Sequence, residues 1–326
     1  MVTSANLAWR PTASLSVMQL RAQLMARIRH YFAEQQVLEV ETPILQQAGN
    51  TDPMIDNLQC SYGAHGVLEQ GYYLQTSPEY AMKRLLAAGS GPIYQVCKVF
   101  RDGESGRRHS PEFTLLEWYR PGFDLYALMD EVEELVSRLM ALDDGAVRIT
   151  YTDLFQHFIG VDPIQDEVTL LRNHALKFGI TVSEQSDERD FWLDLLLSHI
   201  IEPELKTLGR LVFVYDYPAT QAALAQINAD GLAERFELYL DGVELANGYY
   251  ELADGDEQRR RFVNDNNRRR SLGKSQVPID ESLLMALNAG LPGSAGVALG
   301  LDRLLMCLSK TTSLEEVLTF PIGCRT

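Results

Sequence analysis

An apolar run, Ile93-Tyr94-Gln95-Val96-Cys97-Lys98-Val99-Phe100, ends in Arg101. A polar, glycine-containing stretch follows, and the chain returns as a second apolar run, Phe113-Thr114-Leu115-Leu116-Glu117-Trp118-Tyr119. Two strand-length apolar runs joined by a polar loop predict a long hairpin. The arginine at the loop mouth is placed to meet an anion. A guanidinium is a planar fork of donors suited to phosphate and carboxylate oxygens, and aromatic rings beside it offer a stacking face. The layout suits a hairpin that grips a nucleotide.

A second hairpin is written more tightly. Arg235-Phe236-Glu237-Leu238-Tyr239-Leu240 and Val243-Glu244-Leu245 flank Asp241-Gly242, a strong two-residue turn signal. With that turn, Leu240 faces Val243 and Tyr239 faces Glu244. Glu237 then lies on the same face as Glu244, roughly 7–8 Å away on the diagonal. Two such carboxylates repel unless a cation sits between them, which makes Glu237 and Glu244 candidate Mg²⁺ ligands. The other reading is an exposed polar sheet face. Beyond the hairpin, Asn247, Tyr249 and Glu251 alternate and share a face, while strict alternation puts Glu244 on the opposite one. Bringing all four to one face requires a bulge near Ala246-Asn247-Gly248, which Gly248 would permit.

Elsewhere, residues 16–36 read as an amphipathic helix carrying Met18, Leu24, Met25, Ile28 and Phe32. The strand Val37–Glu41 follows and ends at Thr42-Pro43. Residues 125–142, 167–178 and 189–206 predict further helices, and Leu211–Tyr215 a strand. The expected class is α+β, a mainly antiparallel sheet flanked by helices. The 326 residues, 46% of them apolar, are enough for a sizeable core. No apolar run approaches a membrane span, and Met1–Asn6 does not open a secretory signal, so the expected location is cytoplasmic. Cys60, Cys97, Cys307 and Cys324 are scattered, which points to reduced thiols rather than a disulfide framework or a zinc site. The net charge of −16 disfavours extensive nucleic-acid binding. Arg259-Arg260-Arg261 and Arg268-Arg269-Arg270 are the local exception, readable as a solvated helix face or as a basic docking patch.

Three segments in order resemble the motifs of class II aminoacyl-tRNA synthetases. The 16–43 helix and strand with Thr42-Pro43 resemble motif 1, or else an ordinary helix-to-strand connection. Phe100–Glu117 resembles motif 2 of the lysyl-tRNA synthetase branch. Gly296-Val297-Ala298-Leu299-Gly300-Leu301-Asp302-Arg303-Leu304 resembles motif 3. The likeness spans residues 16 to 320 and implies the class II catalytic fold, with residues 1–326 as one catalytic domain and no anticodon-binding domain. Tyr72–Gly89, Pro111–Tyr119 and Val297–Gly300 look most like the stand-alone members of this branch that act on elongation factor P.

The resemblance therefore implies ATP and Mg²⁺, activation of (R)-β-lysine as its adenylate, and transfer to a lysine ε-amine of elongation factor P. It also implies a homodimer through motif 1 and makes tRNA an unexpected partner. Arg101 and Arg303 become the catalytic cations. ATP contacts are implied for Asp102, Gly103, His109, Ser110, Phe113, Glu244, Leu245 and Gly300, with Phe113 stacked on adenine. Amino-acid contacts are implied for Ser77, Pro78, Glu79, Glu117, Tyr119, Asn247, Tyr249, Glu251 and Ala298. Glu79, Glu117 and Glu251 are candidates for the substrate's ammonium groups; each taken singly also reads as a surface carboxylate. Ala298 stands where lysyl-tRNA synthetases generally have glycine, a change suited to an amino group moved from the α to the β carbon. Gly103 stands where the family usually has glutamate, with Glu104 one place later, and Ser110 where asparagine is usual. The alternatives are adenylation of α-lysine for another acceptor, and a non-catalytic synthetase paralogue.

Overall fold

The computed structural model describes residues 9–62, 70–182 and 186–322. The N-terminal segment Met1–Asn6 and Cys324 lie outside the described residues. In chain order the first elements are α1 (Leu15–Glu34), β1 (Leu38–Glu39), β2 (Leu45–Gln46), β3 (Gln59–Tyr62), β4 (Gln70–Leu74), α2 (Glu79–Ala87), β5 (Ile93–Phe100) and β6 (Glu112–Pro121). Next come α3 (Leu125–Met140), β7 (Val147–Thr150), α4 (Tyr151–Ile159), α5 (Val168–Lys177), α6 (Arg189–Leu196) and β8 (Leu211–Pro218). The chain continues with β9 (Leu232–Leu240), β10 (Val243–Tyr250), α7 (Gly255–Ser271), α8 (Glu281–Gly290), β11 (Ser294–Gly300) and α9 (Leu301–Ser309). Helices and strands stand at the expected places, but the 189–206 helix is α only over Arg189–Leu196 before a π turn at Leu197–Ile201 and a 3-10 turn at Glu202–Thr207, and the 37–41 strand pairs only over Leu38–Glu39. The chain divides into two compact units, 1–122 with 253–294 and 298–326, and 123–252 with 295–297.

In the first unit β5 and β6 pair antiparallel from Ile93↔Tyr119 to Phe100↔Glu112. β1 adds in parallel to β5 as an edge strand. β2, β4 and β3 form a separate antiparallel sheet. Helix α1 starts where the Ser14 hydroxyl accepts from the Val17 N–H, a standard N-cap, and buries Leu24, Ile28, Tyr31 and Phe32. Phe32 stacks on Tyr94 of β5 with ring centroids 4.3 Å apart, which fixes the helix over the strand.

Arginines of both α7 runs have partners within the chain. Arg259 pairs with Glu281, and Arg260 and Arg261 both pair with Glu257 one turn away. Arg270 donates to Gln276. Arg269 is buried, donating to the carbonyls of Asp52, Ile55 and Ser275 and pairing with Asp56. The runs thus split between a salt-bridged face and an anchor for the 52–56 loop.

Asp265, on the same helix, accepts from the Thr51 hydroxyl at 2.9 Å. Burial raises its carboxyl from 3.8 to about 6, against the opposing pull of the Thr51 hydrogen bond. The native state therefore holds this proton more tightly than the unfolded chain. The associated stability is complete below pH 3.8 and is lost as the pH climbs through about 6. Asp265→Asn, neutral at every pH, is expected to melt above wild type at pH 7.5 and level with it near pH 4. Parallel melting curves at both pH values would show that Asp265 does not titrate this way.

In the second unit the strand order is β10-β9-β8-β7, antiparallel except for the parallel β7–β8 pair. Helix α3 is N-capped by Asp124 and packs against β9 and β10. A core of Tyr151, Phe155, Trp192, Val212, Val214 and Tyr239 joins α4 and α6 to the strands. The Asp241-Gly242 turn has φ values of 49° and 74°, both left-handed as a type I′ turn requires. The register is the expected one, with Val243↔Leu240 and Glu244↔Tyr239.

The bulge lies between Glu244 and Ala246, earlier than Gly248 suggested. Leu245 is the extra residue, and pairing resumes at Ala246↔Leu238 and Asn247↔Glu237. Gly248 serves close packing instead. A β-carbon there would stand 2.5 Å from Phe236 Cζ and 3.1 Å from the Gly296 carbonyl oxygen. Gly248→Ala is expected to cost about 1–3 kcal/mol, as overpacking of a tight core does. An unchanged urea midpoint would show that Phe236 yields freely.

Candidate active site

In the first unit the β5–β6 hairpin presents Arg101 at its mouth. The backbone is held there from both sides: the Arg101 N–H donates to the Pro111 carbonyl at 3.0 Å, and the Asp102 N–H to the Asp56 carbonyl at 2.8 Å. Gly103 has a φ of 75°, a left-handed conformation that disfavours the glutamate usual in the family. Glu104, one place later, brings its carboxylate to 3.5 Å from the Arg101 guanidinium. The shift in sequence thus leaves an acid beside this arginine. Arg101 Cζ lies 5.1 Å from the centroid of the Phe113 ring. Its Nε–H is buried and has no hydrogen-bond acceptor among the described residues. Buried donors are nearly always satisfied, so an orphan on a guanidinium is a place for an anionic oxygen.

Arg303 stands on the first turn of α9, which Gly300 N-caps. Its guanidinium donates to the Arg108 carbonyl at 3.2 Å and lies 2.9 Å from His109 Nε2. Arg303 and His109, distant in sequence, are therefore neighbours. Ser110 is buried, and Gly300 and Ala298 are half-buried. Asp302, beside Arg303, is an acidic residue in the first turn of α9, where a negative charge suits the helix N-terminus. It does more: its carboxylate takes the Arg21 guanidinium of α1 and the Thr114 N–H of β6, the latter at 2.7 Å. One buried carboxylate ties together the three segments that carry the motif likenesses.

A second cluster of this unit joins Ser77, Glu117 and Tyr119. The Ser77 hydroxyl donates to Glu117 Oε2 and the Tyr119 hydroxyl to Glu117 Oε1, each at 2.7 Å. The Ser77 oxygen also accepts from the Glu79 N–H at 3.1 Å, just after Pro78 opens α2. Glu117 is 2% exposed, so its orientation is fixed before any ligand arrives. Glu79 also has a partner within the protein. Its carboxylate pairs at 2.7 Å with Lys83, one helical turn on, whose side chain is 1% exposed. A buried ammonium demands that partner, so Glu79 answers a cation of the protein itself. Burial, and then the charge of Glu117, pushes the neighbouring Cys97 thiol up to about 12, which leaves it unreactive. Cys60, Cys97 and Cys307 form no disulfide with one another.

In the second unit the bulge resets the alternation. Glu244 faces Tyr239, and Asn247 faces Glu237, so Glu244, Asn247, Tyr249 and Glu251 fall on one face. Leu245 and Glu251 are buried. Glu237 shares the face, as the register required, but its oxygens are engaged. Oε1 takes the Arg235 guanidinium at 2.5 Å, and Oε2 takes the hydroxyls of Tyr217 at 2.8 Å and Tyr239 at 2.5 Å. Arg235 thus gives Glu237 a positive neighbour within the protein. Among the described residues no three His, Cys, Asp or Glu side chains group as a ready cation site. A cation here would lean on one or two carboxylates and on the ligand's own oxygens. Arg235 was passed over in the sequence as a strand residue. Its signal was the arginine two places before Glu237, on the same face of one strand.

The family model for class II tRNA synthetases (D, K and N) matches residues 2–323. Among similar proteins, the elongation factor P–(R)-β-lysine ligase of Pectobacterium atrosepticum is 45% identical over 98% of this chain and 99% of its own. The ligase of the same name from Edwardsiella ictaluri is 47% identical, over 96% and 97% of the two chains. That from Photobacterium profundum is 48% identical, over 96% and 98%. With motif-bearing segments bound together by Asp302 and likeness along nearly the full length, the chain belongs to the class II tRNA synthetase family, in its branch of elongation factor P–(R)-β-lysine ligases.

Proposed function

We propose that this protein activates (R)-β-lysine with ATP and transfers it to a lysine ε-amine of elongation factor P. The observation that carries the ATP half is Arg101, whose buried Nε–H has no acceptor among the described residues and whose guanidinium lies over Phe113. The choice of amino acid and acceptor rests on the relatives' names and their 45–48% identity.

The substrate carboxylate attacks the α-phosphorus of ATP, and the bond to pyrophosphate breaks. Two anions must approach, and Arg101 lowers the barrier by neutralising both as charge builds on the phosphorus oxygens. Arg303 and His109 serve the other phosphates, Phe113 the adenine, and Asp102, Gly103, Ser110, Leu245 and Gly300 line the nucleotide. The acceptor ε-amine then attacks the acyl carbonyl, the amide bond forms and AMP leaves. No enzyme nucleophile is needed; positioning and charge supply the rate. Ser77, Pro78, Glu117 and Tyr119 orient the ammonium end of the amino acid, with Glu79 contributing through its pair with Lys83. Asn247, Tyr249 and Glu251 contact the same substrate, and Ala298 sets selectivity against α-lysine. Mg²⁺, when bound, would offset phosphate charge, and Glu237 and Glu244 are the hairpin carboxylates that would hold it.

Pyrophosphate exchange with (R)-β-lysine and α-lysine, followed by transfer to purified elongation factor P, tests this reading. Faster exchange with β-lysine and a matching mass increase on the factor are expected. Preference for α-lysine would make the protein a different lysine-activating enzyme, and no exchange would make it a non-catalytic paralogue.

The protein also works as a homodimer through residues 16–43. Leu38, on the edge strand β1, is 56% exposed, apolar surface on an edge strand of the sheet. Sedimentation at micromolar concentration is expected to give twice the chain mass of 36.7 kDa. A monomer would rule the dimer out.

A further inference from the structure

Arg235 occupies an unusual position for a strand arginine: each of its three guanidinium nitrogens has a partner inside the second unit. One terminal nitrogen pairs with Glu237 Oε1 at 2.5 Å, and the other donates to the Gln221 carbonyl at 2.8 Å. Nε donates to Asn247 Oδ1 at 3.2 Å. The plane lies over the Tyr217 ring with Cζ 4.4 Å from the centroid. The side chain is 15% exposed. Burial works against the charge, and the Glu237 carboxylate more than restores it, so the guanidinium stays ionised.

Asn247 is where this network reaches the substrate face. A side-chain amide has one acceptor atom and one donor group, and which way it points normally depends on its surroundings. A guanidinium can only donate. Arg235 therefore takes the amide oxygen, and the amide NH2 is left as the group Asn247 presents. The opposite strand holds this arrangement in register, because Asn247 faces Glu237 across the ladder immediately after the bulge.

We propose that Arg235 is a positioning residue, locking the Asn247 amide so that it offers N–H donors, and that these meet an acceptor oxygen of the activated amino acid rather than its ammonium groups. The inference rests on the proposed amino-acid activation for the identity of that oxygen, and on the Arg235 geometry alone for the lock. Lysine at 235 would keep a charge for Glu237, but a point ammonium cannot serve Gln221, Glu237 and Asn247 together.

The test is a double-mutant cycle read by pyrophosphate exchange in the full chain, with melting temperature followed for each protein. Arg235→Lys is expected to lower kcat/KM for the amino acid about ten-fold or more, as loss of an orienting outer partner does at metal ligands, with the KM for ATP held within about two-fold. In an Asn247→Ala background the same change is expected to cost little, since its target is gone. Equal losses in both backgrounds would overturn the lock. Asn247→Asp keeps a partner for Arg235 but turns a negative oxygen toward the ligand. It is expected to fall below Asn247→Ala, and Asp activity at or above that of Ala would overturn the donor assignment. Asparagine-selective ¹⁵N labelling gives a readout apart from activity. The Asn247 NH2 pair, identified by its loss in Asn247→Ala, is expected to shift and exchange faster with solvent in Arg235→Lys. If the unmodified protein activates no amino acid, the proposed activity fails, while the labelled spectra still decide the lock. An unmoved NH2 pair would overturn it.

Discussion

Arg101→Ala is expected to lower pyrophosphate exchange by about 10²- to 10³-fold, the loss seen when one preorganised donor to a developing negative charge is removed. The fold is expected to survive. The Arg101 side chain contributes a 3.5 Å pair with Glu104 and a contact with Phe113, both at a loop mouth, while the loop's backbone bonds do not involve it. Arg101→Lys is expected to recover only part of the rate, because an ammonium cannot span two oxygens as a planar fork does. The measurement is exchange at saturating ATP together with a urea unfolding curve. Near-normal exchange in the alanine variant would remove Arg101 from the chemistry, and a collapsed unfolding midpoint would make it a structural residue.

Asp302→Asn is expected to be the most destabilising of these substitutions, by about 2–3 kcal/mol. Breaking a fully buried pair costs about 3–5 kcal/mol, and the figure is reduced because the Arg21 side chain is 26% exposed and water can reach it. The carboxylate accepts from Arg21 and from the Thr114 N–H. Asparagine has one acceptor oxygen for these two donors, so its NH2 must face one of them. The damage is expected to spread to activity, because Phe113 adjoins Thr114 and Arg303 adjoins Asp302. A urea midpoint equal to wild type would mean that the three segments hold together without this carboxylate.

How much of this was legible in the sequence depended on how local the cause was. Asp241-Gly242 carried the β9–β10 register because a two-residue turn permits only one pairing of its flanking residues. The Arg101 hairpin was legible for a similar reason, two apolar runs around a polar loop. The need for a bulge followed from alternation, but its site did not. Gly248 drew attention as the permissive residue, whereas the chain inserts Leu245, whose side chain is 3% exposed and whose place is set by packing. The protein partners of Glu237 were not legible, because Tyr217 comes from another strand and no spacing rule connects them. Glu79 and Lys83 stand four residues apart in a helix, a legible pair that was overlooked. The arginine runs of α7 were ambiguous as a string. Glu257 resolves part of them locally, while Arg269 needed the 52–56 loop, more than two hundred residues earlier in the chain, to be understood.

The bulge at Leu245 also governs how this hairpin can change over evolution. It acts as a frame shifter: upstream of it odd and even positions have one assignment to the two faces, and downstream the other. A single-residue insertion between Ala246 and Asn247, paired regularly, would leave β10 in the sheet, yet would turn Asn247, Tyr249 and Glu251 to the opposite side all at once. Point substitutions can tune this strand one side chain at a time, whereas a change of length would rewrite the whole face in one step.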